Sequence, residues 1–187
     1  MRSDILEYLQ KDIYERCKRA TNKFGMGCYY HIEAVVKNGE LLAEKYHADK
    51  EVVQIASWLH DIASITDYSL YEEHHIHGAE MASEILRNLS YDEAKIQMVQ
   101  NCIRKHRGSV LIEKDSIEEI CVAEADAISH FDSIPSLLYL AYVERKMNIE
   151  EGTQFVKGKL ERSFHKLSIE SKAFYNDKYQ QAMRILG

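Results

Sequence analysis

In the stretch Ala56-Ser57-Trp58-Leu59-His60-Asp61-Ile62, two adjacent polar side chains end an otherwise apolar segment. From Val52 onward the segment is apolar on most sides of a helix, which predicts a helix in the interior of the protein. Both His60 and Asp61 then need a partner, because burying an unpartnered polar group is costly. A bound metal ion would satisfy both side chains, although one His-Asp pair occurs easily by chance.

Two distant polar residues strengthen this interpretation. His31 stands near the start of a predicted helix over residues 30–46, and Asp126 lies inside the mostly apolar run 120–128. The positions fall on three different predicted helices, whose side chains could converge in the interior of a helical bundle. Imidazole and carboxylate ligands together suit Mn, Fe, Co, Ni or Zn, and carboxylates also suit Mg.

The composition favours helices along the whole chain. Only one proline and eight glycines occur in 187 residues, and alternation typical of strands is hard to find. We therefore predict an all-α fold that forms one domain over residues 1–187. A largely polar stretch over residues 64–75 is predicted to be irregular. The predicted helices cover residues 4–24, 30–46, 49–60, 77–89, 92–105, 117–129, 134–147, 153–164 and 168–186.

The overall composition and net charge indicate which classes of partner the protein is expected to bind. With 45% hydrophobic and 29% charged residues, the balance is that of an ordinary globular protein. A formal net charge of −6 favours neither a nucleic acid polymer nor an anionic membrane as partner. No apolar run is long enough to cross a membrane, and residues 1–4 do not resemble a signal peptide. The four cysteines lack CxxC spacing, which predicts free thiols in a cytoplasmic protein.

The order His31, His60-Asp61, Asp126 resembles the HD-domain superfamily of metal-dependent phosphohydrolases. Other segments agree with that resemblance, which spans about residues 28–132. His31 is followed by Val35, as in an H-x-x-x-V pattern, and residues 56–62 resemble the A-x-x-L-H-D-I core. The remaining similar segments are His77-Gly78-Ala79, Ile103-Arg104-Lys105-His106-Arg107 and Ala125-Asp126-Ala127.

The resemblance implies a helical bundle of HD type, with helices over residues 133–187 packing on the core. It implies that His31, His60, Asp61 and Asp126 hold a divalent ion that activates water for attack on phosphorus. The expected enzyme is a phosphohydrolase that cleaves a phosphate ester or anhydride of a small molecule, such as a nucleotide. The identity of the ion stays open among Mn, Fe, Co, Ni, Zn and Mg.

Further residues are candidates for the pocket. His77, His106 and Asp67 are predicted to act near the scissile group, and Lys105 and Arg107 to bind phosphate. Some HD families add histidines to build a site for two ions. Here the short interval from Asp61 to His77 and the absence of paired histidines around His106 favour one ion.

Histidines outside these positions are predicted to have no role in the site. We expect two of them to lie in a solvated loop and three to be structural or exposed. The first group is His74 and His75, and the second is His47, His130 and His165.

Two alternatives to a phosphohydrolase remain. One is a non-catalytic HD module that binds a metal or ligand as a sensor or scaffold, and the complete set of four ligands argues against it. The other is an oxygenase with two irons, which the absence of the usual extra ligands disfavours. Ala34 and the run 124–129 depart from the pattern of nucleotide-hydrolysing members, which weakens any transfer of their specificity.

Overall fold

The computed structural model describes residues 1–107 and 113–187, and within them the fold is all-α, as predicted, with no strand. A short 3₁₀ segment, Tyr68–Glu73, precedes α5, and a π-helical segment, Leu140–Glu144, follows α8. The α-helices are α1 Ser3–Cys17, α2 Gly27–Tyr46, α3 Lys50–Leu59, α4 Ile62–Thr66, α5 His74–Asn88, α6 Glu93–Lys105, α7 Ile117–Asp132, α8 Ile134–Tyr139, α9 Ile149–Lys166 and α10 Ile169–Ile185.

Helices α3 and α7 form the interior of the bundle. Every residue of α3 from Glu51 to Leu59 is buried, and α3 packs against α1, α2, α6 and α7. Asp49 caps its first turn by accepting hydrogen bonds from the backbone N–H groups of Glu51 and Val52. Thirteen of the sixteen residues of α7 are buried as well. The chain therefore delivers His60, Asp61 and Asp126 from helices surrounded by other helices.

The largest departure from the predicted elements is the polar stretch 64–75. It is helical for most of its length, because α4 ends at Thr66, the 3₁₀ segment follows, and α5 begins at His74. Asp67 stabilises this arrangement by accepting a hydrogen bond of 2.9 Å from the backbone N–H of Ser69. The first helix is also shorter than predicted and ends at Cys17.

The C-terminal helices share the apolar core. Helix α9 packs against α7 and α8, and α10 packs against α7 and α9. The connected cluster of buried apolar side chains runs from Ile5 in α1 to Ala182 in α10. Among the described residues, no helix has both the length and the apolar character that crossing a membrane requires.

Glu51, a buried carboxylate at the start of α3, is expected to stabilise the fold. Glu51 accepts hydrogen bonds from the Tyr91 hydroxyl at 2.8 Å and from the Arg2 backbone N–H at 2.6 Å. Burial raises its pKa, but these bonds and Lys95 outweigh that effect and lower the pKa to about 2. We expect Glu51→Gln to lower the free energy of unfolding by about 1–3 kcal/mol at neutral pH.

The pH dependence of that loss follows from the direction of the shift. A carboxylate with a depressed pKa in the folded state stabilises the protein above its unfolded pKa, and this contribution is lost as the pH falls. The difference between wild type and Glu51→Gln should therefore be largest above about pH 5 and shrink toward pH 2. Urea unfolding of both proteins across this range measures it, and a pH-independent difference would contradict the assignment.

Candidate metal centre

Six histidine and aspartate side chains converge from five helices of the bundle. Helix α2 contributes the first of them, and the junction between α3 and α4 contributes the adjacent pair. The first residue of α5, the residue after α6 and the middle of α7 supply the others. The six fall into two sets, the first being His31, His60 and Asp126 and the second Asp61, His74 and His106.

The donor atoms within each set lie within 4.8 Å of one another. In the first set, His31 Nε2 is 3.3 Å from Asp126 Oδ1. In the second set, His74 Nε2 is 3.3 Å from His106 Nε2 and 3.5 Å from Asp61 Oδ1. Ligands about 2.1 Å from one ion stand roughly 3.0–3.4 Å apart in tetrahedral or octahedral geometry. The shortest spacing in each set therefore suits a metal ion, and the widest one given, 3.9 Å between His106 Nε2 and Asp61 Oδ1, would have to shorten when an ion binds.

Asp61 lies between the two sets. Its Oδ2 is 3.5 Å from His60 Nε2 in the first set, and its Oδ1 faces His74 and His106 in the second. One carboxylate thus presents an oxygen to each set of donors. The junction between two helices explains this placement, because His60 is the C-cap residue of α3 and Asp61 is the N-cap residue of α4.

The backbone fixes the orientation of three histidine rings. Nδ1 of His60, His74 and His106 lies 2.8, 2.7 and 2.6 Å from the carbonyl oxygen three residues earlier. Since a carbonyl only accepts, each Nδ1 carries the proton and each Nε2 presents a lone pair when the ring is neutral. This is the arrangement by which proteins orient histidine ligands toward a metal.

The Nε2 atoms of the site fit a cation. His60 Nε2 is buried and makes no hydrogen bond among the described residues, while Asp61 Oδ2 lies 3.5 Å away as an ion-pair partner. Two neutral rings that place Nε2 lone pairs 3.3 Å apart, as His74 and His106 do, repel each other unless a positive charge lies between them. With two carboxylates close by, this donor chemistry suits a divalent ion in each set.

The acids of the site are ionised. Burial raises the pKa of Asp61, but the charge of His60 outweighs it and holds that pKa well below its usual range. Asp126 behaves likewise, because His31, His130 and Lys166 lower its pKa more than burial raises it. The site therefore carries negative charge ready for a cation.

The pKa values of two buried histidines of the site are shifted in opposite directions. Burial lowers the pKa of His60, but Asp61 and Asp126 outweigh it and raise that pKa to about 9. Burial and the neighbouring His60 lower the pKa of His106 to about 3. His106 is thus neutral near pH 7 and keeps its lone pair for a ligand, whereas an ion at His60 would have to displace a proton.

Not every predicted pocket residue reaches the site. Of the five proposed around the metal, the structure brings His106 and Arg107 to the cavity. His77 is 39% exposed and pairs with Glu73 at 3.8 Å. Lys105 forms ion pairs with Asp115, just before α7, and with Glu119 in its first turn. Asp67 is exposed and caps the 3₁₀ segment. The geometry therefore gives His77, Lys105 and Asp67 no contact with the cavity.

The cavity next to the two donor sets has a volume of about 360 Å³. Sequence reasoning missed several of its lining residues. His74 and His130 were expected outside the site, yet both are buried, and His130 Nδ1 lies 3.9 Å from Asp126 Oδ1. Basic side chains of α9 also line the cavity. The sequence does indicate that these residues share one face of a helix, because they recur every three or four positions: Phe155, Lys159, Arg162 and Lys166.

An all-helical bundle with clustered histidines and aspartates is the arrangement of HD-type phosphohydrolases. The model of the HD domain family matches residues 28–130, and the chain therefore belongs to the HD-domain family. This superfamily consists generally of metal-dependent phosphohydrolases.

Relatives of known name match part of the chain. A ribonuclease Y of Clostridium novyi is 31% identical over 142 residues, which is 75% of this chain and 26% of that protein. A ribonuclease Y of Borreliella burgdorferi is 38% identical over 112 residues, 58% of this chain and 20% of that protein. The chain thus spans about a quarter or less of the length of these relatives.

A solved structure shares the fold. Bacillus subtilis YpgQ, crystallised in complex with ADP, aligns over 97% of this chain and 95% of its own with a TM-score of 0.67. The sequence identity is 15%, so the likeness concerns the fold.

Proposed function

We propose that this protein is a metal-dependent phosphohydrolase that cleaves a phosphate ester or anhydride of a small molecule of the nucleotide class. The observation that carries the proposal is the convergence of six candidate metal ligands, five of which line a cavity of about 360 Å³ while His60 lies buried behind it. Membership of the HD-domain family supports hydrolysis. The ADP bound to the structural neighbour supports a nucleotide as the kind of ligand.

Within this proposal, the first donor set and the second donor set would each hold one divalent ion, and Asp61 lies close enough to both sets to serve either. Bound divalent ions lower the pKa of water and offset the charge of a reacting phosphate. The protein holds the ligands in place, because the carbonyls before His60, His74 and His106 fix three of the rings. Buried helices around the site keep the histidines in these orientations.

The wall of the cavity near α5 suits the organic part of a nucleotide. The rings of Phe24 and Tyr71 lie 5.5 Å apart between centroids, and both line the cavity together with Ile65. Aromatic faces of this kind stack on bases. Arg107 lines the same side of the cavity, where it pairs with Glu72 and can meet a phosphate oxygen.

A phosphodiester in RNA is a second candidate substrate, favoured by the ribonuclease Y relatives. We prefer the small molecule because the cavity has a volume of only about 360 Å³ and the net charge is −6. A non-catalytic module is the remaining alternative, and the complete donor sets count against it. We also propose that residues 1–187 act as one domain, which the shared apolar core supports.

Hydrolysis assays test this proposal directly. Chelator-treated protein is reloaded with Mn, Fe, Co, Ni, Zn or Mg and offered nucleotides, sugar phosphates and a short oligoribonucleotide. We expect hydrolysis of a small phosphate compound that disappears on chelation and returns with a divalent ion. Activity that survives exhaustive chelation would contradict a metal-dependent mechanism, and cleavage of the oligoribonucleotide alone would favour the second candidate.

A further inference from the structure

One face of α9 lines the cavity with positive charge. Lys159, Arg162 and Lys166 all line it, and Phe155 continues the same stripe toward the start of the helix. Three- and four-residue spacing places these side chains on one side of a helix. The helix begins at Ile149, beyond the 28–130 span that matches the HD family. The C-terminal part of the chain therefore adds a feature to the site that the family match does not cover.

The two lysines of this stripe differ in their partners. Among the described residues, Lys159 has no hydrogen bond and no ion pair within 4.0 Å, and it is partly buried. Burial lowers its pKa, Asp126 raises it, and Lys166 lowers it further. Lys166 Nζ lies 3.8 Å from Asp126 Oδ2, which is also a donor of the first set. A lysine that is partly buried and unpaired among other cations calls for an anionic ligand.

The length of the stripe indicates how large that anion is. Lys166 is seven positions after Lys159, which corresponds to about 10 Å along the axis of the helix. Arg145 stands at the other end, with its guanidinium 4.7 Å from the centroid of the Phe155 ring, and it also lines the cavity. The basic side chains along this stripe, added to the metal donors, offer more contacts than a single phosphate group can make.

We propose that Lys159, Arg162 and Lys166 of α9, with Arg145, bind the phosphates beyond the one attacked. The substrate is then an oligophosphate ester such as a nucleoside di- or triphosphate, and not a monophosphate. This inference rests on the proposed function, because it assigns the substrate class of the same site. Donor chemistry supports it, since lysine and arginine bind phosphate oxygens through charge-assisted hydrogen bonds.

Calorimetric titration with inorganic phosphate, pyrophosphate and triphosphate tests the assignment without relying on turnover. The titrations use the full chain, once after chelation and once with a divalent ion restored. We expect affinity to rise with the number of phosphates in both states. With the divalent ion restored, Lys159→Gln or Arg162→Gln should weaken triphosphate binding by about tenfold or more and leave unchanged the weak binding of inorganic phosphate, which would bind at the ion.

Two control variants separate charge from packing and from general electrostatics. Lys159→Arg should keep triphosphate binding, because the positive charge is retained. Lys157→Gln removes a lysine of the same helix that bonds the backbone of Gly187 outside the cavity, and it should bind triphosphate like wild type. Circular dichroism checks that each variant keeps its helices. Equal weakening by Lys157→Gln would overturn the assignment to the stripe.

The outcomes also separate this inference from the proposed function. Affinity that does not depend on phosphate number would overturn the oligophosphate class even if monophosphates were hydrolysed. Binding that depends on α9 in a protein without any hydrolysis would leave the inference standing and the proposed enzyme activity refuted. Tighter binding of an oligoribonucleotide than of triphosphate, lost in the same variants, would overturn the small-molecule assignment.

Discussion

We expect Asp61→Asn to reduce the rate of hydrolysis by at least about 1,000-fold and to release metal from both donor sets. The physical reason is its position, because one oxygen faces His60 and the other faces His74 and His106. An amide of the same shape removes the negative charge that both ions would share. The contribution of a metal ion to such a reaction is several kcal/mol, and each 1.4 kcal/mol is a factor of about ten in rate.

Elemental analysis of purified protein and steady-state hydrolysis measure the two parts of this prediction. Asp67→Asn is the matched control, because Asp67 is an exposed cap of the 3₁₀ segment only six residues along the chain. We expect that variant to keep its metal and its activity. A full metal complement in Asp61→Asn would refute its role as a ligand, and loss of activity in Asp67→Asn would instead support the catalytic role predicted from sequence.

Polar residues in apolar surroundings were the part of the site that sequence could locate. His60, Asp61 and Asp126 stand in segments whose other residues are buried in α3, α4 and α7. Their context made each one conspicuous, and the structure brings them together with His31. The all-α class followed from composition in the same way, since a chain poor in proline and glycine and without alternation favours helices.

The burial of His74 could not be predicted from the sequence pattern around it. His74 lies within the polar stretch 64–75, and its immediate neighbours give no sign of burial. The 3₁₀ segment packs Tyr71 against it, with ring centroids 5.7 Å apart, and turns its Nε2 toward Asp61. Such a contact depends on tertiary packing and has no periodic pattern in the sequence. His77, at helical spacing on the same α5, carried the family-like motif and yet points to solvent.

The charge of α9 was missed for a related reason. Lys159, Arg162 and Lys166 look like the solvated face of an amphipathic helix, which is the usual role of such residues. Only the packing of α9 against α7 and α8 turns that face toward a cavity. Periodicity therefore predicts which residues share a face, while the direction of the face is decided by the neighbouring helices.

Removing a ligand of the second donor set is expected to reduce the bound metal from two ions per chain to one. His106 is the best position for this test. Its side chain is 3% exposed, and its Nδ1 donates a hydrogen bond to the Ile103 carbonyl. Its Nε2 therefore faces the other two donors of the second set, His74 and Asp61. His106→Ala leaves the first set intact, so the remaining ion should stay bound. Turnover should fall by about 100-fold or more, because one of the two charges that offset the reacting phosphate is lost.

The stoichiometry decides between one and two ions. His165→Ala is the control, because His165 is an exposed histidine of α9 whose Nδ1 bonds the Glu161 carbonyl. His77→Ala distinguishes the geometry from the hypothesis based on sequence spacing, and we expect it to keep both ions. If wild type binds one ion and His106→Ala retains it, the one-ion interpretation from sequence is correct. A proton held between His74 Nε2 and His106 Nε2, which lie 3.3 Å apart, would then supply the positive charge that two facing lone pairs need.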